Sequence, residues 1–559
     1  MTAAERPWLA AYPEGVPADI DPSRYTSLVT LMEQAFATHA SRTAYTYMGS
    51  HIAFAHVDRQ SRRLAAYLQS LGLNKGDRVA VMMPNVPQYP IAVAAILRAG
   101  LVVVNVNPLY TARELEHQLK DSGAKAIVII ENFAHTLQQC IGQTPVQHVV
   151  LCSMGDELSW LKGCVVNYVV RKVKKLVPAF ALPGAVAYAQ AVSRGQAATL
   201  VAPDIGPDDV AVLQYTGGTT GVSKGAVLLH RNIIANTLQS EAWYQPVLKA
   251  VREQGEQITS VCALPLYHIF AFTVNLMLAM HTGGRNILIT NPRDLPAVLK
   301  DLKGERFHSF PAVNTLFNGL AHHPDFGSVD WSHLKVSVGG GMAVQSAVAK
   351  LWLEKTGCPI CEGYGLSETS PIVSCNPLTS KAFTGTIGVP LPSTYVKLVA
   401  DNGETVTTLG QTGEIAVQGP QVMAGYWQRP DETAKVTTAD GYFLTGDIGT
   451  MDERGFIKIV DRKKDMVLVS GFNVYPNEVE DVVAMHPGVL ECAVVGVPDA
   501  DSGEVVKLVV VRKDPQLTED DLRVFCKDKL TGYKRPRVIE FRTELPKTPV
   551  GKILRRELR

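Results

Sequence analysis

The sequence predicts an α/β protein with a large N-terminal domain of layered subdomains and a small C-terminal α+β domain. Its 559 residues exceed what one hydrophobic core normally supports, so at least two domains are expected. Short apolar strands alternate with helix-like segments in the first part, which is typical of parallel sheets covered by helices. The C-terminal part instead places a helix, two strands, a helix and a strand in close succession.

The alternation begins with apolar runs that have the length of buried strands. These strand-like runs cover residues 78–83, 102–106, 126–130 and 148–151. Amphipathic spacing over residues 58–71 and 111–121 predicts helices between them. The order of these segments therefore predicts parallel strands joined by helical crossovers.

A dense charged stretch, residues 461–465, separates two apolar strands near the C-terminus. We place the domain boundary there, so the N-terminal domain covers residues 1–460 and the C-terminal domain residues 466–559. Within the second domain, Thr518 and Asp521 have the spacing of a capping box and predict a helix start.

The overall charge excludes one class of partner. Lys and Arg number 54 and Asp and Glu 53, which leaves no basic field for nucleic acid. The N-terminus lacks a secretory signal pattern, and no uncharged apolar run is long enough to span a bilayer. Nine scattered cysteines suit a reducing compartment. We therefore expect a cytoplasmic protein without membrane spans.

Cys358 and Cys361 have the spacing of half a zinc or redox site. A structural zinc site needs a second Cys or His pair at a suitable spacing, and the sequence offers none. Buried thiols without a metal are the better interpretation.

The most informative segment is residues 215–225, Tyr-Thr-Gly-Gly-Thr-Thr-Gly-Val-Ser-Lys-Gly, which follows an apolar strand. Glycines bring backbone N–H groups close to an anion, hydroxyls donate further hydrogen bonds, and Lys224 adds a charge. The Walker pattern, in which Ser or Thr follows Gly-Lys, is absent, so kinase and GTPase functions are disfavoured. A flexible glycine-rich turn is the structural alternative.

Three later segments suit the remainder of a nucleotide. Residues 362–368 carry Tyr364, which can stack on a purine, and Glu368, a hard oxygen ligand. Residues 444–448 end a strand with Asp447, and residues 545–556 carry Lys552 after a glycine. Each segment alone also has an ordinary explanation as a turn or a basic tail.

In this order, however, the segments resemble the adenylate-forming family of acyl-CoA synthetases, luciferases and peptide-synthetase adenylation domains. The resemblance covers nearly the whole chain and is strongest to bacterial long-chain fatty-acid–CoA ligases, through motifs such as residues 264–270 and 461–466. Tyr442, Phe443, Leu444 and Ser367 depart from the usual pattern, which bears on chain-length preference.

The resemblance implies an acid–thiol ligase that converts a fatty acid and ATP to an acyl-adenylate and transfers the acyl group to coenzyme A. Catalytic roles fall on Lys552, Glu368 and His268, with Glu368 as the Mg²⁺ ligand. The implied ATP-binding residues are Thr216, Gly217, Gly218, Thr219, Thr220, Gly221, Lys224, Gly340, Gly341, Glu362, Tyr364, Gly365, Asp447 and Arg462.

For the second half-reaction, the resemblance implies a mobile C-terminal domain that rotates about Lys464. The implied contacts to coenzyme A are Ser470, Gly471, Phe472, Lys534 and Arg535; for the last two, a solvated basic turn is the alternative. The resemblance also allows a homodimer.

Two apolar segments bear on the substrate. Residues 267–280 are apolar around most of a helix, which fits either core packing or an acyl channel with His268 near the carboxylate. Residues 165–177 mix valines with basic residues, as in a helix at a membrane interface, and peripheral contact with the inner membrane face is one hypothesis. A surface helix of the large domain is the alternative.

Rival functions share the nucleotide motifs. A medium-chain or aryl acid CoA ligase would keep them all, and a stand-alone adenylation enzyme would load a carrier protein, although no carrier domain follows Lys552. A non-catalytic binding protein is disfavoured because Glu368, Asp447 and Lys552 are all present.

Overall fold

The computed structural model describes residues 6–216, 223–462, 465–470, 472–499, 502–527, 529–548 and 551–559. These described residues form four β-sheets, three of them built from residues before 463 and the fourth from residues after 466. The structure confirms the predicted α/β class with a large N-terminal and a smaller C-terminal part.

The sheet that carries the glycine-rich segment at its strand ends is parallel except at one edge. The apolar runs at 78–83, 102–106, 126–130 and 148–151 all form strands of this sheet. In spatial order it consists of Gly425–Tyr426, Lys224–Leu229, Val210–Thr216, Val102–Asn105, Arg78–Met82, Ala126–Ile130, His148–Cys152 and Val186–Ala187, with the first three antiparallel.

A second sheet is parallel in its centre and antiparallel at both ends. Its strands are, in order, Val389–Pro390, Ile372–Cys375, Ile360–Gly365, Val336–Gly339, Ser309–Ala312, Thr259–Cys262, Arg285–Leu288, Thr43–Tyr47 and Ser50–Ala53. One continuous core fills the space between these two sheets and their helices. Predicted site residues lie at strand ends in both sheets, at Thr216 in the first and at Gly365 in the second.

The third sheet is antiparallel and consists of Tyr395–Val399, Gly413–Gln418, Phe443–Met451 and Ile457–Arg462. Its last strand leads directly into the charged stretch predicted to be a hinge. Assignment of residues 461–465 as the boundary between two moving domains stays a prediction.

The C-terminal sheet has its own valine-rich core. It contains Phe472–Val474, Val467–Val469, Gly503–Arg512, Val489–Asp499 and Val538–Arg542, with helices Pro476–Ala484 and Glu519–Lys527 packed on it. The predicted capping box is present, because the Asp521 N–H donates to Thr518 Oγ1 at 3.2 Å and the Thr518 N–H to Asp521 Oδ2 at 3.0 Å.

The larger part is covered by helices that follow the predicted pattern. They are Leu28–His39, Phe54–Ser70, Gln88–Arg98, Ala112–Ser122, Ala134–Cys140, Trp160–Tyr168, Tyr188–Gln196, His230–Glu253, Ile269–Ala271, Leu278–Thr282, Leu295–Leu302, Asn314–His322, Ser346–Thr356 and Pro430–Lys435. Gln88–Arg98 is buried throughout, and its Arg98 pairs with Glu33 and Asp58. Among the residues described, no helix has the length and apolar composition required to cross a bilayer.

Candidate active site

The base of the glycine-rich loop is a short antiparallel pair. Thr216 ends the strand Val210–Thr216 and lies opposite Lys224, the first residue of the returning strand. The Ser223 hydroxyl donates to the Thr216 carbonyl at 2.7 Å and closes the base. Among the predicted phosphate-binding residues, the following lie outside the described residues: Gly217, Gly218, Thr219, Thr220 and Gly221.

Lys224 is held in a short chain of polar contacts. Its Nζ lies 2.5 Å from Glu432 Oε2 and 5.0 Å from the centre of the Tyr426 ring. The Tyr426 hydroxyl in turn donates to Glu368 Oε1 at 2.8 Å. The hydrogen bond from Lys224, with a smaller effect from Lys435, lowers the pKa of Glu432 to about 2. Lys224 and Glu368 therefore both contact Tyr426, Lys224 over the ring and Glu368 at the hydroxyl.

Glu368 belongs to the single turn Ser367–Thr369, which follows the strand Ile360–Gly365. Its side chain is largely buried, and its backbone carbonyl accepts the Met423 N–H at 2.8 Å. The turn thus fixes a carboxylate beside the base of the glycine-rich loop. In the described part of the chain, no cluster of three or more His, Cys, Asp or Glu side chains suits a metal ion.

The two residues predicted to bind the nucleoside contact each other. The Tyr364 hydroxyl donates to Asp447 Oδ2 at 2.6 Å, and both side chains are buried. They come from different sheets, since Asp447 lies on the strand Phe443–Met451. The backbone of Asp447 pairs with that of Arg462 on the next strand, so three predicted residues converge here.

Glu362, another predicted ATP-binding residue, is buried beneath the loop that follows Gly341. The Val344 N–H donates to Glu362 Oε1 at 3.1 Å. Burial is the main reason that the pKa of Glu362 rises to about 8; the hydrogen bond from Val344 opposes the rise, and the nearby Asp481 charge adds a smaller upward effect. Glu362 is therefore protonated in the folded protein at neutral pH, a property that its place in the motif did not reveal.

Glycines at 340 and 365 allow close backbone approaches in this region. A Cβ on Gly340 would lie 2.8 Å from the Phe270 ring, and one on Gly365 would lie 2.0 Å from the Pro371 carbonyl oxygen. Gly341 has a φ of +79°, which other residues rarely adopt. At 340 and 365 no larger side chain fits without displacing the Phe270 ring or the backbone, whereas at 341 the backbone conformation favours glycine.

His268 precedes a helical stretch formed by Ile269–Ala271, a π-helical segment Phe272–Met277, and Leu278–Thr282. The Phe270 N–H donates to His268 Nδ1 at 3.4 Å, which leaves the ring proton on Nε2. Burial and, to a smaller extent, the Lys552 ammonium lower the pKa of His268 to about 4. His268 is therefore neutral at pH 7.

A buried hydrogen-bond network supports the peptide before His268. Tyr89 donates to Asn105 Oδ1 at 2.5 Å, and Asn105 donates to Gln214 Oε1 at 2.9 Å. Gln214 then donates to the Tyr267 carbonyl at 3.1 Å. The strand that ends at Thr216 is thereby linked to the backbone of the predicted acyl segment, a link that no sequence pattern indicated.

The Lys552 loop is bound to the large part of the molecule. The Thr315 hydroxyl donates to the Gly551 carbonyl at 3.1 Å, and Arg293 donates to the Thr548 carbonyl at 3.0 Å. Within the loop, the Lys552 N–H donates to Thr548 Oγ1 at 3.0 Å. These bonds fix the Lys552 loop on the large part of the molecule, and the Lys552 ammonium contributes to the lowered pKa of His268.

The predicted contacts to coenzyme A lie elsewhere on the C-terminal sheet. Phe472 is 56 % exposed and stacks on Tyr533 with ring centres 4.8 Å apart. Lys534 binds both oxygens of Glu478 at 2.7 and 2.8 Å, and Arg535 donates to the carbonyls of Leu530 and Lys527. These residues are not brought together with Lys552.

Ser470 is exposed, has a φ of +50°, and donates its N–H to the Ser502 carbonyl at 2.8 Å. Gly471 and Lys464 lie outside the described residues, as does the Arg462 side chain. The proposed hinge and part of the predicted pantetheine contact therefore stay predictions.

Three contributors to the site were not found by sequence reasoning. Tyr426 and Glu432 follow Gly425 in a segment without a recognised motif, yet they contact Glu368 and Lys224. Arg555 lies in what the sequence alone presents as a basic tail, and it donates to Asn477 and to both oxygens of Glu480 at 2.8–2.9 Å. The sequence signals that could have indicated these residues are the Gly-Tyr-Trp segment at 425–427 and the Arg-Arg pair at 555–556.

Cys358 and Cys361 are both buried, and Ser337 donates to Cys358 Sγ at 3.5 Å. Burial raises the pKa of the Cys361 thiol to about 12. Thiols with raised pKa values are poor nucleophiles and poor metal ligands at neutral pH.

Two family models match this chain. Residues 32–427 match the family model described as AMP-binding enzyme, and residues 478–552 match the AMP-binding enzyme C-terminal domain. The chain belongs to the AMP-binding enzyme family.

The relatives with high identity to this chain carry names that specify a substrate. A long-chain-fatty-acid–CoA ligase of Escherichia coli O6:H1 is 56 % identical, over 99 % of this chain and 97 % of that protein. One from Yersinia pestis is also 56 % identical, over 99 % and 98 %. Among solved structures, an anthranilate CoA ligase in complex with anthranoyl-AMP has a TM-score of 0.84 and 25 % identity, covering 96 % of this chain and 98 % of that one.

Proposed function

We propose that this protein is an AMP-forming long-chain fatty-acid–CoA ligase. It would activate a fatty acid with ATP to an acyl-adenylate and pyrophosphate, and then transfer the acyl group to coenzyme A with release of AMP. The full-length identity to proteins named long-chain-fatty-acid–CoA ligase supports the substrate class.

One geometric observation carries the proposal. The loop with Lys552 is bonded through Gly551 to Thr315, in the first turn of the helix that follows the parallel strand Ser309–Ala312, and the charge of the Lys552 ammonium acts on the neutral His268. A carboxylate and the α-phosphate of ATP are both anions, so their reaction needs a cation between them. We assign Lys552 to that position in the first half-reaction.

His268 complements the lysine. Because its pKa is about 4, the imidazole is neutral at pH 7, and its Nδ1 accepts the Phe270 N–H. Nε2–H is then the donor available to a substrate carboxylate. By donating this hydrogen bond, neutral His268 orients the carboxylate without adding a second charge.

We assign the nucleotide to the residues that converge between the sheets. The loop from Thr216 to Lys224 holds the β- and γ-phosphates, and Tyr364 stacks on adenine. Asp447 and Arg462 bind the ribose, and the backbone around Gly340, Gly341, Glu362 and Gly365 shapes the cavity. Support comes from the 2.6 Å contact between Tyr364 and Asp447 and from the steric requirement for glycine at 340 and 365.

Glu368 is the residue that we expect to hold Mg²⁺ with the phosphates. A carboxylate fixed by the Tyr426 hydroxyl, beside the base of the phosphate loop, has the hard oxygen chemistry that Mg²⁺ requires. When bound, the ion neutralises phosphate charge. Lys224 is expected to exchange its contact with Glu432 for the phosphates.

For the second half-reaction we propose rotation of the C-terminal domain, residues 466–559, against residues 1–460 about Lys464 in the 461–465 hinge. The rotation would remove Lys552 and bring Ser470, Gly471 and Phe472 to the acyl-adenylate as the pantetheine contact. Lys534 and Arg535 would meet the phosphates of coenzyme A after exchanging their present partners. The exposure of Phe472 supports this assignment.

The apolar stretch after His268 is the proposed acyl-binding wall. Its residues are buried along Phe272–Met277, and the helix starts against Gly340. The proposal extends to a cytoplasmic enzyme of fatty-acid degradation with peripheral membrane contact, since long-chain acids partition into bilayers. A homodimer is a further proposal that rests on resemblance alone.

The test is AMP release from ATP, Mg²⁺ and coenzyme A across saturated acids from short to long and one cinnamate-type acid. We expect the rate to rise toward long chains. A maximum on medium or aromatic acids would keep the reaction and overturn the substrate. AMP formation that does not depend on coenzyme A would favour loading of a carrier protein.

A further inference from the structure

The helix Trp160–Tyr168 and the segment after it present an apolar surface to solvent. Of the large apolar side chains that the structure describes as exposed, six lie in residues 160–176, and they are between 51 % and 82 % exposed. This apolar face consists of Trp160, Leu161, Val165, Tyr168, Val173 and Leu176. Surface helices normally turn such residues inward, so this helix has the opposite orientation.

The helix is firmly attached by its other side. The Gly163 carbonyl oxygen lies 2.5 Å from where a Cβ on Gly155 would stand, which requires glycine at that contact. Asn167 accepts the Gly155 N–H at 2.8 Å, and Lys162 donates to Ser50 Oγ at 3.1 Å. The apolar face is therefore fixed outward by polar anchors and close packing.

Further along, Arg171 holds the continuation of the helix. Its Nε lies 2.9 and 3.0 Å from the oxygens of the buried Glu131 carboxylate, and its Nη2 donates to Ser153 Oγ at 2.8 Å. Lys172, Lys174 and Lys175 are exposed beside the apolar face. The segment is thus apolar and basic on the same outer side.

The surrounding sequence has a one-sided charge. Between residues 158 and 203 there is no Asp or Glu, whereas six Lys and Arg residues occur. A protein partner of mixed charge does not require such a long acid-free stretch, but an anionic lipid surface does favour it. Trp160 and Tyr168 are residue types that settle at the boundary between headgroups and acyl chains.

We propose that the apolar face docks on the surface of an anionic bilayer, with the exposed lysines against lipid headgroups. This proposal rests on the peripheral membrane contact included in the proposed function, and it identifies the protein surface that makes that contact. It predicts binding that has both an apolar and a salt-sensitive part. Its test needs no catalysis, so its failure would leave the proposed ligase activity standing, and the reverse also holds.

The chain supplies its own probe for the test. All nine cysteines are described; Cys164 is exposed on the helix and the other eight are buried. A polarity-sensitive thiol dye on Cys164 of the full-length protein should shift to the blue with phosphatidylglycerol-containing vesicles, and much less with phosphatidylcholine alone. A lipid-phase quencher should reduce its emission.

Leu161→Ser tests the apolar part, and Leu409→Ser is the matched control, because Leu409 is 64 % exposed and Leu161 66 %. We expect vesicle affinity to fall about tenfold for Leu161→Ser and to be unchanged for the control. Replacing Lys172, Lys174 and Lys175 with Gln should remove most of the salt dependence.

Three results would overturn the proposal. One is vesicle binding without a dye shift, which would assign the membrane contact to another surface. Another is equal affinity for both leucine variants. The third is a dye shift that depends on protein concentration without lipid, which would assign the apolar face to a second copy of the chain.

Discussion

The C-terminal sheet has two sides that are both predicted to meet the substrates, and the structure treats them differently. The side with the Lys552 loop is bonded to the large part, for example through Thr315 to Gly551 and through Asn318 to the Leu490 carbonyl at 2.9 Å. Ser346 adds a 2.6 Å hydrogen bond to Asp481. The strand Phe472–Val474, by contrast, has its first two residues exposed.

This difference separates the two half-reactions. The bonded side carries the Lys552 ammonium, and the attack of a carboxylate on a phosphate requires such a cation. The exposed side carries an uncharged ring at Phe472. A thiol attacking an uncharged acyl carbonyl needs space and orientation more than a cation. We interpret the structure as the arrangement for adenylation. In this arrangement, the side proposed for thioester formation faces solvent.

The largest expected effect on this arrangement comes from Arg555→Met. Arg555 lies three positions from Lys552, binds Glu480, and lies 3.9 Å from Asp461 at the end of the large part. Its removal takes the positive charge away from the buried carboxylates of Glu480 and Asp461, so we expect a loss of about 3 kcal/mol in the local opening free energy of helix Pro476–Ala484. Hydrogen exchange measures it.

Arg556→Met is the control, because Arg556 is exposed one position away. It should leave the exchange rates of Pro476–Ala484 within a factor of about two, as surface substitutions do. If the amide exchange rates of this helix are the same in the two variants, Arg555 does not link the Lys552 loop to the predicted hinge region.

The pH dependence of stability in Glu362→Gln tests the buried surroundings of Glu362 in the large part of the molecule. The folded-state pKa of Glu362 is raised to about 8, so its favourable contribution is complete below the unfolded pKa and is lost as pH rises toward 8. The variant keeps the acceptor for Val344 without the charge. Its stability relative to the parent should rise between pH 5 and pH 8, by up to about 1.4 kcal/mol per pH unit.

Thermal unfolding at several pH values measures this slope, and Glu354→Gln on the exposed side of a helix controls for loss of a carboxylate. Parallel profiles for parent and Glu362→Gln would mean that Glu362 is ionised in the folded protein. Burial would then not govern this part of the site.

Phe472→Ala tests the exposed side. If Phe472 contacts pantetheine after rotation, the transfer step from acyl-adenylate to coenzyme A should slow about tenfold, while pyrophosphate exchange is unchanged. Val524→Ala is the control, because Val524 is 65 % exposed in the same part of the chain. Equal slowing of both half-reactions would assign Phe472 a structural role.

The smallest expected effect concerns Lys224. Its pair with Glu432 is partly exposed and therefore contributes little to stability. Glu432→Gln should therefore lower the KM for ATP about threefold, because Lys224 no longer has to leave a carboxylate, whereas the neighbouring Asp431→Asn should not. An unchanged KM in Glu432→Gln would show that the pair does not compete with phosphate.

Local patterns were sufficient for much of the fold. Apolar runs of strand length and the Thr518 capping box predicted elements that the structure contains, because both depend on neighbouring residues. The glycine-rich segment was likewise recognisable from composition, and its ends pair as the base of a hairpin at Thr216 and Lys224.

Contacts between distant segments were not predictable in the same way. Tyr426 meets Glu368 across 58 positions, and Thr315 meets Gly551 across 236. Such pairs depend on how the sheets are stacked, and a single Tyr or Thr carries no signal of its partner. The neutral states of Glu362 and His268 follow from burial, which also arises only in three dimensions.

The most direct test of the account is Lys552→Ala in separated half-reactions. Acid-dependent pyrophosphate exchange should fall by a factor of roughly 100 to 1,000, and transfer from synthetic acyl-adenylate to coenzyme A by less than about threefold. Lys547→Ala is the control, since Lys547 is in the same loop but pairs with Glu491. Equal losses in both half-reactions of Lys552→Ala would contradict the assignment of this face to adenylation alone.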